Sequence, residues 1–167
     1  MSKLALELIA KEKQEKTGIL DLGRCGLTEL PEELFDLVWL KELNVCNHYW
    51  DANQKNRFYS SNNGSDNKLA IIPNSIQRLS KLHTLRLKGN YSFEKWDIKN
   101  ISTLEKLTNL QTLDLSSNQI SDIRYLEKLT HLQTLDLSSN QISDIRYLEK
   151  LTHLQSLSFS SNQISDY

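Results

Sequence analysis

Four sets of side chains have types and spacings that suggest chemistry. His131 and His153 occupy the same slot in two copies of one segment, so they would stack about 5 Å apart on neighbouring strands and suit a surface metal, but no third ligand repeats beside them. Asp114 and Asp136 stack in the same way, yet a carboxylate pair does acid–base work only where a pocket shifts a pKa, and this duplicated, outward-facing pair has none. Cys25 and Cys46 form no CxxC motif and have no histidine at metal spacing, which reads as two reduced thiols. No nucleophile, base and orienting group converge, so the expectation is a non-catalytic protein without cofactor or metal. The fourth set is aromatic: Tyr49, Trp50, Phe58, Tyr59, Tyr91, Phe93 and Trp96 are seven of the 13 aromatic residues, packed into two short stretches with Lys55, Arg57 and Lys95 among them. Aromatic rings interleaved with arginine are the composition of a protein-binding hot spot, and also of a satellite core that pins a long loop.

The elements that must position these residues follow from an internal repeat. Residues 107–128 read LTNLQTLDLSSNQISDIRYLEK and residues 129–150 repeat them with one change, Asn109 to His131, a period of 22. Residues 151–166 match their predecessor at 13 of 16 positions. The spacing LxxLxLxxN set by Leu110, Leu113, Leu115 and Asn118 recurs at Leu132, Leu135, Leu137 and Asn140 and at Leu154, Leu157, Phe159 and Asn162. Upstream it fits Leu82, Leu85, Leu87 and Asn90, then Leu40, Leu43 and Val45 with His48 in the asparagine slot, then Leu20 and Leu22 with Cys25 there. About six coils result.

Alternate side chains of each short strand face opposite ways, so the leucines enter a shared core and the residues between them form an outward surface. One outward column is Asp21, Asn44, Arg86, Asp114, Asp136 and Ser158, and the next is Gly23, Cys46, Lys88, Ser116, Ser138 and Ser160. Arg86 and Lys88 are its basic pair and the best contacts for a partner on that surface. Ser121-Asp122 and Ser143-Asp144 are caps for short helical turns on the opposite side, and Pro31 and Pro73 open the equivalent turns of earlier coils. Residues 1–17 read as a capping helix with Leu4, Leu8 and Ile9 on its buried face and Gly18 as its stop. The chain stops at Tyr167 in mid-coil and leaves Leu154, Leu157, Phe159 and Ile164 without evident cover. The expectation is either a fragment or an edge covered by another molecule, a second copy being the candidate.

The repeat is broken twice, by about 20 residues near 48–68 and by six near 91–98. Both insertions leave the sheet at the same edge after adjacent strands, so they should lie side by side and join their rings into one patch. Asn63-Gly64 is a tight-turn signal that predicts a hairpin in the longer one.

This pattern resembles the leucine-rich repeat. The stretch TGILDLGRCGLTELPEELFDLVWLKELNV looks like the opening of bacterial leucine-rich domains of Roco-type proteins, and the SSNQISDI copies are similar to 22-residue repeats of the internalin kind. The resemblance implies an α/β solenoid, a horseshoe with short parallel strands on the concave face and helical or 3-10 segments on the convex face. It also implies a scaffold that binds a protein through the concave sheet or its edge loops. There is no GxxxxGK[ST] loop, so nucleotide hydrolysis is not expected here; the alternative is a regulatory N-terminal portion of a larger Roco-like GTPase signalling protein.

Charge and composition narrow the partner. Lys plus Arg number 20 and Asp plus Glu 21, so the chain lacks the basic excess that nucleic-acid binding needs. The apolar run at residues 4–10 is short and broken by Glu7, which argues against a secretory leader or membrane span and for the cytoplasm. The sequence therefore points to one domain over 1–167 and a protein partner met by Tyr49, Trp50, Arg57, Phe58, Tyr59, Arg86, Lys88, Tyr91, Phe93 and Trp96.

Overall fold

Strand propensity in each coil is confined to three residues, a leucine flanked by residues that tolerate exposure, and the strands are that short. In a computed structural model that describes residues 2–51, 55–90 and 96–165, the chain runs through helix α1 (Lys3–Glu15) into strand β1 (Ile19–Asp21) and then β2 (Glu42–Asn44). A hairpin of β3 (His48–Trp50) and β4 (Arg57–Tyr59) follows, and then β5 (Thr84–Arg86), β6 (Thr112–Asp114), β7 (Thr134–Asp136) and β8 (Ser156–Ser158). The sheet is six-stranded and parallel in the order β1-β2-β5-β6-β7-β8, with the hairpin as a separate two-stranded sheet.

The register aligns Leu20, Leu43, Leu85, Leu113, Leu135 and Leu157 in one row, and all but Leu157 are buried. It also aligns Asp21, Asn44, Arg86, Asp114, Asp136 and Ser158, the outward column read from the sequence. The second column departs from expectation: Cys46, Lys88 and Ser116 are buried, because the chain turns out of the sheet at this level and neighbouring turns pack on one another.

Opposite the strands lie 3-10 turns at Glu32–Asp36, Asn74–Arg78, Ser102–Lys106, Arg124–Lys128 and Arg146–Lys150. Pro31 and Pro73 directly precede the first two, and Asp122 and Asp144 each accept the first N–H of the last two at 3.1 Å. Leu34, Ile76, Leu104, Leu126 and Leu148 project from these turns into the common core.

At the N-terminal end, α1 is shorter than residues 1–17, and its left-handed cap falls on Lys16 (φ 49°) rather than on Gly18. Its buried face holds Ala5 and Ile9 as an amphipathic helix should, and also Glu12, a residue that periodicity assigns to solvent. Glu12 is where helix and solenoid are joined. Its carboxylate accepts hydrogen bonds from Thr17 Oγ1 (2.5 Å), Thr17 N–H (3.2 Å), Gly18 N–H (2.8 Å) and the indole of Trp39 (2.9 Å). Burial by itself pushes this carboxyl up, but the bonds from Thr17, Gly18 and Trp39 outweigh it and hold the group below its ordinary value of 4.5.

A carboxylate whose folded pKa is depressed stabilises the fold above its unfolded pKa and loses that contribution as pH falls through the folded value. Glu12→Gln should lower the unfolding free energy by about 2 kcal/mol at neutral pH, since bonds to a charged acceptor are replaced by neutral ones. The deficit should shrink as pH falls below 4.5, where the unfolded chain takes up the proton first, and on through the lower folded value. Urea unfolding at pH 7 and pH 3.5 checks this, and an equal deficit at both would contradict it.

Candidate functional site

Where each coil leaves its strand, backbone groups are buried at the turn and need partners. Asn140 supplies them: its amide donates to the carbonyls of Leu115, Leu137 and Ser138 at 3.0, 3.0 and 3.3 Å, and its Oδ1 accepts the N–H of Ile120 at 3.0 Å. Asn162 repeats the pattern with Leu137, Phe159, Ser160 and Ile142, and Asn118 donates to Leu87, Leu115 and Ser116.

In the second coil this role is taken by Asn67, not by His48. Asn67 is fully buried, donates to Leu22 and Val45 carbonyls at 2.8 Å each, and accepts the N–H groups of Cys25 (3.1 Å) and Leu27 (2.8 Å). The whole insertion therefore sits between the strand and its asparagine. The sequence carried a signal for this: Asn67, Leu69 and Ile72 have the spacing of Asn118, Ile120 and Ile123.

In the third coil the slot falls to Trp96 rather than Asn90. Trp96 is fully buried and its indole donates to the Asn67 carbonyl at 2.8 Å, so it belongs to the core and not to an exposed patch. An indole cannot reproduce a primary amide's pattern, and among the described residues Asn118 Oδ1 is left buried without a partner.

The insertion is tied down at both ends. Asn47 accepts the N–H groups of Arg24 and Asn67 and donates to Asn90 Oδ1 at 2.6 Å, which joins the bases of the two insertions. Ser60 and Asn62 bond the Gly23 carbonyl at 3.0 and 2.8 Å, and Asn62 also bonds the Asp21 carbonyl at 3.0 Å. A side chain at Gly64 would meet the Arg24 carbonyl at 2.4 Å, so Asn63-Gly64 serves close packing against the first coil. The hairpin expected from that pair exists, but its turn is elsewhere: Asp51 takes the N–H of Lys55 at 2.8 Å, and its own N–H reaches Asn56 O at 2.9 Å.

With its base fixed, the hairpin stands over the concave sheet. Trp50 pairs with Arg57, Tyr49 with Phe58 and His48 with Tyr59 across it. Tyr49 and Phe58 stack at 5.3 Å, and Arg86 of β5 lies 4.1 Å from the Tyr49 ring centre, a cation–π contact that seats the hairpin on the sheet. On the other face Arg57 lies over Tyr59 at 4.9 Å and Trp50 at 5.9 Å. Burial, with the positive charges of Arg57 and Lys88, lowers the His48 pKa to about 4, so this ring is neutral at neutral pH.

The hairpin separates two clefts that share Arg86. The one towards β1 and β2 has a volume of about 140 Å³ and is bordered by Ile19, Tyr49, Phe58 and Tyr59. The one towards β6 and β7 has a volume of about 90 Å³ and is bordered by Trp50, Asp51, Asp114 and Asp136. Tyr49, Trp50, Arg57, Phe58, Tyr59 and Arg86 are thus brought together. Lys88 is buried at 4% exposure, with its N–H on Cys46 Sγ at 3.0 Å, and is not a surface contact. Tyr91 and Phe93, with Lys95, lie outside the described residues.

The other candidates resolve differently. His131 and His153 each bond a carbonyl of the preceding coil through Nδ1 at 2.9 Å, and among the described residues no three potential ligands cluster for a metal. The Asp114 carboxyl does have a perturbing environment: burial and then the neighbouring Asp136 push it up to about 6. The sequence expectation of a pair with no pocket beside it fails, since Trp50 and Asp51 of the hairpin line a cleft with both aspartates. Cys25 and Cys46 are free and buried, and burial pushes both thiols up.

Residues 100–142 match the family model described as leucine-rich repeat, and residues 130–167 the one described as leucine-rich repeats in two copies. The chain has the leucine-rich repeat fold. Internalin C2 of Listeria monocytogenes superposes with a TM-score of 0.76 at 26% identity, covering 99% of this chain and 67% of its own. A second Listeria internalin, InlF, gives 0.50 at 27% identity over 87% of this chain and 48% of its own. A leucine-rich repeat protein of Leptospira interrogans gives 0.66 at 24% identity over 87% and 38%, a likeness of fold alone. No curated protein matches the chain by sequence. The internalin likeness is therefore the one these structures carry. Leucine-rich repeat domains of this kind typically bind proteins.

The division between buried and exposed rings is measurable. Trp96→Ala should cost about 3–5 kcal/mol of unfolding free energy, as removal of a buried indole does, whereas Tyr59→Ala should cost less than about 1 kcal/mol. Urea midpoints at unchanged slope test this, and similar losses for the two variants would contradict it.

Proposed function

We propose that this leucine-rich repeat domain is a non-catalytic scaffold that recognises a protein partner with the aromatic hairpin above its concave sheet. The observation that carries this reading is a clustering of exposed apolar side chains. Among the described residues six large hydrophobics are exposed, and three of them, Ile19 (60%), Phe58 (46%) and Tyr59 (65%), border the single cleft between the hairpin and β1–β2. Scattered exposed apolar residues need no explanation, but a cluster on a rigidly seated element, with Arg57 and Arg86 beside the rings, has the make-up of a binding hot spot.

The hairpin is favoured over the β8 edge, which the sequence offered as a contact between two copies. Among the described residues that edge has Leu157 exposed, at 38%, with Leu154, Phe159 and Ile164 half-buried. The cytoplasmic setting read from the sequence is kept as part of the proposal. Among the described residues no helix is long and apolar enough to cross a membrane.

Affinity capture from native lysate with wild type and with a Phe58→Ala/Tyr59→Ala variant, read by mass spectrometry, tests the reading. Both side chains are exposed, so the variant should unfold within about 1 kcal/mol of wild type. A partner retained by wild type and lost by the variant is the expected result. A partner held equally by both would move recognition away from the hairpin.

A further inference from the structure

The hairpin is a two-stranded sheet, so each of its strands has one edge that the other does not use. Which backbone groups lie on that edge follows from the ladder. Ser60 N–H donates to the Asn47 carbonyl at 3.0 Å and Asp51 N–H to the Asn56 carbonyl at 2.9 Å. In the register that sets Tyr49 opposite Phe58, these bonds make Asn47/Ser60, Tyr49/Phe58 and Asp51/Asn56 the hydrogen-bonded pairs of an antiparallel ladder. Tyr59, opposite His48, falls between two of them, so its N–H and C=O point away from β3. Neither group has a partner among the described residues.

The two edges are not equivalent. All three residues of β4 are exposed, whereas those of β3 are half-buried, and β4 holds neither proline nor a bulge to block a further strand. Beside the β4 edge lies the cleft of about 140 Å³ towards β1 and β2, bordered by Ile19, Tyr49, Phe58 and Tyr59. A strand laid along β4 alternates its side chains in step with those of β4. The residue opposite Phe58 shares the face on which Phe58 stacks with Tyr49, and so falls over Ile19. An apolar cavity of about 150 Å³ holds a molecule the size of benzene, so a cleft of this size takes one aliphatic side chain.

The area sets the kind of partner. An aromatic side chain offers about 150–250 Å², so the exposed parts of Ile19, Phe58 and Tyr59 come to on the order of 300 Å². Two folded proteins bury about 800 Å² a side in a stable interface. A second folded copy of this chain is therefore poorly matched to the patch, while an extended segment adds main-chain bonds to a small apolar contact.

We infer that the hairpin binds its protein partner by strand addition: an extended segment pairs antiparallel with the free edge of β4, exchanges both main-chain bonds with Tyr59 and sets an aliphatic residue opposite Phe58, over Ile19. The inference rests on the hairpin being the docking element. Main-chain bonds hold such a segment in place, and the alternate side chain that enters the cleft selects it. Antiparallel pairing continues the alternation of the hairpin and is the more stable arrangement per residue.

The test uses the intact 167-residue chain, isotope-labelled for NMR, and acetyl-Gly-Thr-Ile-Thr-Gly-amide as probe. With isoleucine opposite Phe58, antiparallel pairing puts the first threonine opposite Tyr59, bonded through both its N–H and its C=O, and turns the isoleucine N–H away. Titration should shift the Tyr59 amide and the Ile19 methyl signals with a Kd of about 1–10 mM. N-methylation of the first threonine should weaken binding at least about fivefold, since it removes the donor to the Tyr59 carbonyl, while N-methylation of the isoleucine should leave it within about twofold. Replacing the peptide's isoleucine by glycine should weaken binding about tenfold.

Unmoved signals at about 20 mM peptide, or equal binding of the peptide methylated at its first threonine, would overturn the inference. So would binding lost on methylation of the isoleucine and kept on methylation of the threonine, because the segment would then run parallel to β4. If the peptide fails while the Phe58→Ala/Tyr59→Ala variant still loses its captured partner, strand addition is wrong and the hairpin reading stands. If the peptide binds as described but capture is indifferent to the hairpin, the reading of the hairpin fails and with it the assignment of this edge to the partner.

Discussion

The structure depends on one constraint: each coil must bury the backbone groups where its chain turns out of the sheet, and an asparagine amide is the side chain that can donate and accept there at once. Asn140 bridges three carbonyls and one N–H across two coils. The copied coils hold to this arrangement because any other residue strands buried polar groups. An insertion is therefore admissible only if the chain returns to the same slot. Asn67 returns it after the long insertion, and its four backbone bonds make the base of the hairpin as firm as the coils below it.

From that base the candidate site follows. A hairpin hinged on a loose loop would carry its rings at random, but one closed by Asn47, Ser60 and Asn62 and seated by Arg86 on Tyr49 presents Phe58 and Tyr59 in a fixed place above a polar sheet. Rigidity reduces the ordering cost of binding, so exposed rings held in this way are worth more to a partner than the same rings on a flexible loop. The hairpin also creates electrostatic variety. Its Trp50 and Asp51 wall a cleft in which Asp114, pushed up to about 6 by burial and then by Asp136, stands beside Arg86.

Much of this was legible in the sequence because leucine spacing is periodic and periodicity reports which face is buried. The 22-residue period, the parallel order and the outward column from Asp21 to Ser158 all followed from counting. The register inside the insertions did not, since His48 and Asn90 satisfied the count from the strand while Asn67 and Trp96 satisfied it from the following hydrophobic pair. Only the latter pair of residues can be buried with their polar atoms matched. Lys88 and Glu12 were read as solvent-facing because charged residues usually are, yet both are buried, Glu12 for the sake of four donors that converge on it from beyond its own helix. Such convergence between distant segments leaves no local trace.

The most direct measurement is amide hydrogen exchange at Cys25 and Leu27, whose N–H groups end on Asn67 Oδ1, set beside Ile120 and Ile142, whose N–H groups end on Asn140 and Asn162. If the asparagine ladder continues through the insertion, Cys25 and Leu27 should exchange as slowly as Ile120, within about a factor of ten. Exchange at Cys25 and Leu27 faster by several orders of magnitude, with Ile120 and Ile142 protected, would mean that the insertion does not rejoin the ladder at Asn67 and that the hairpin has no fixed seat above the sheet.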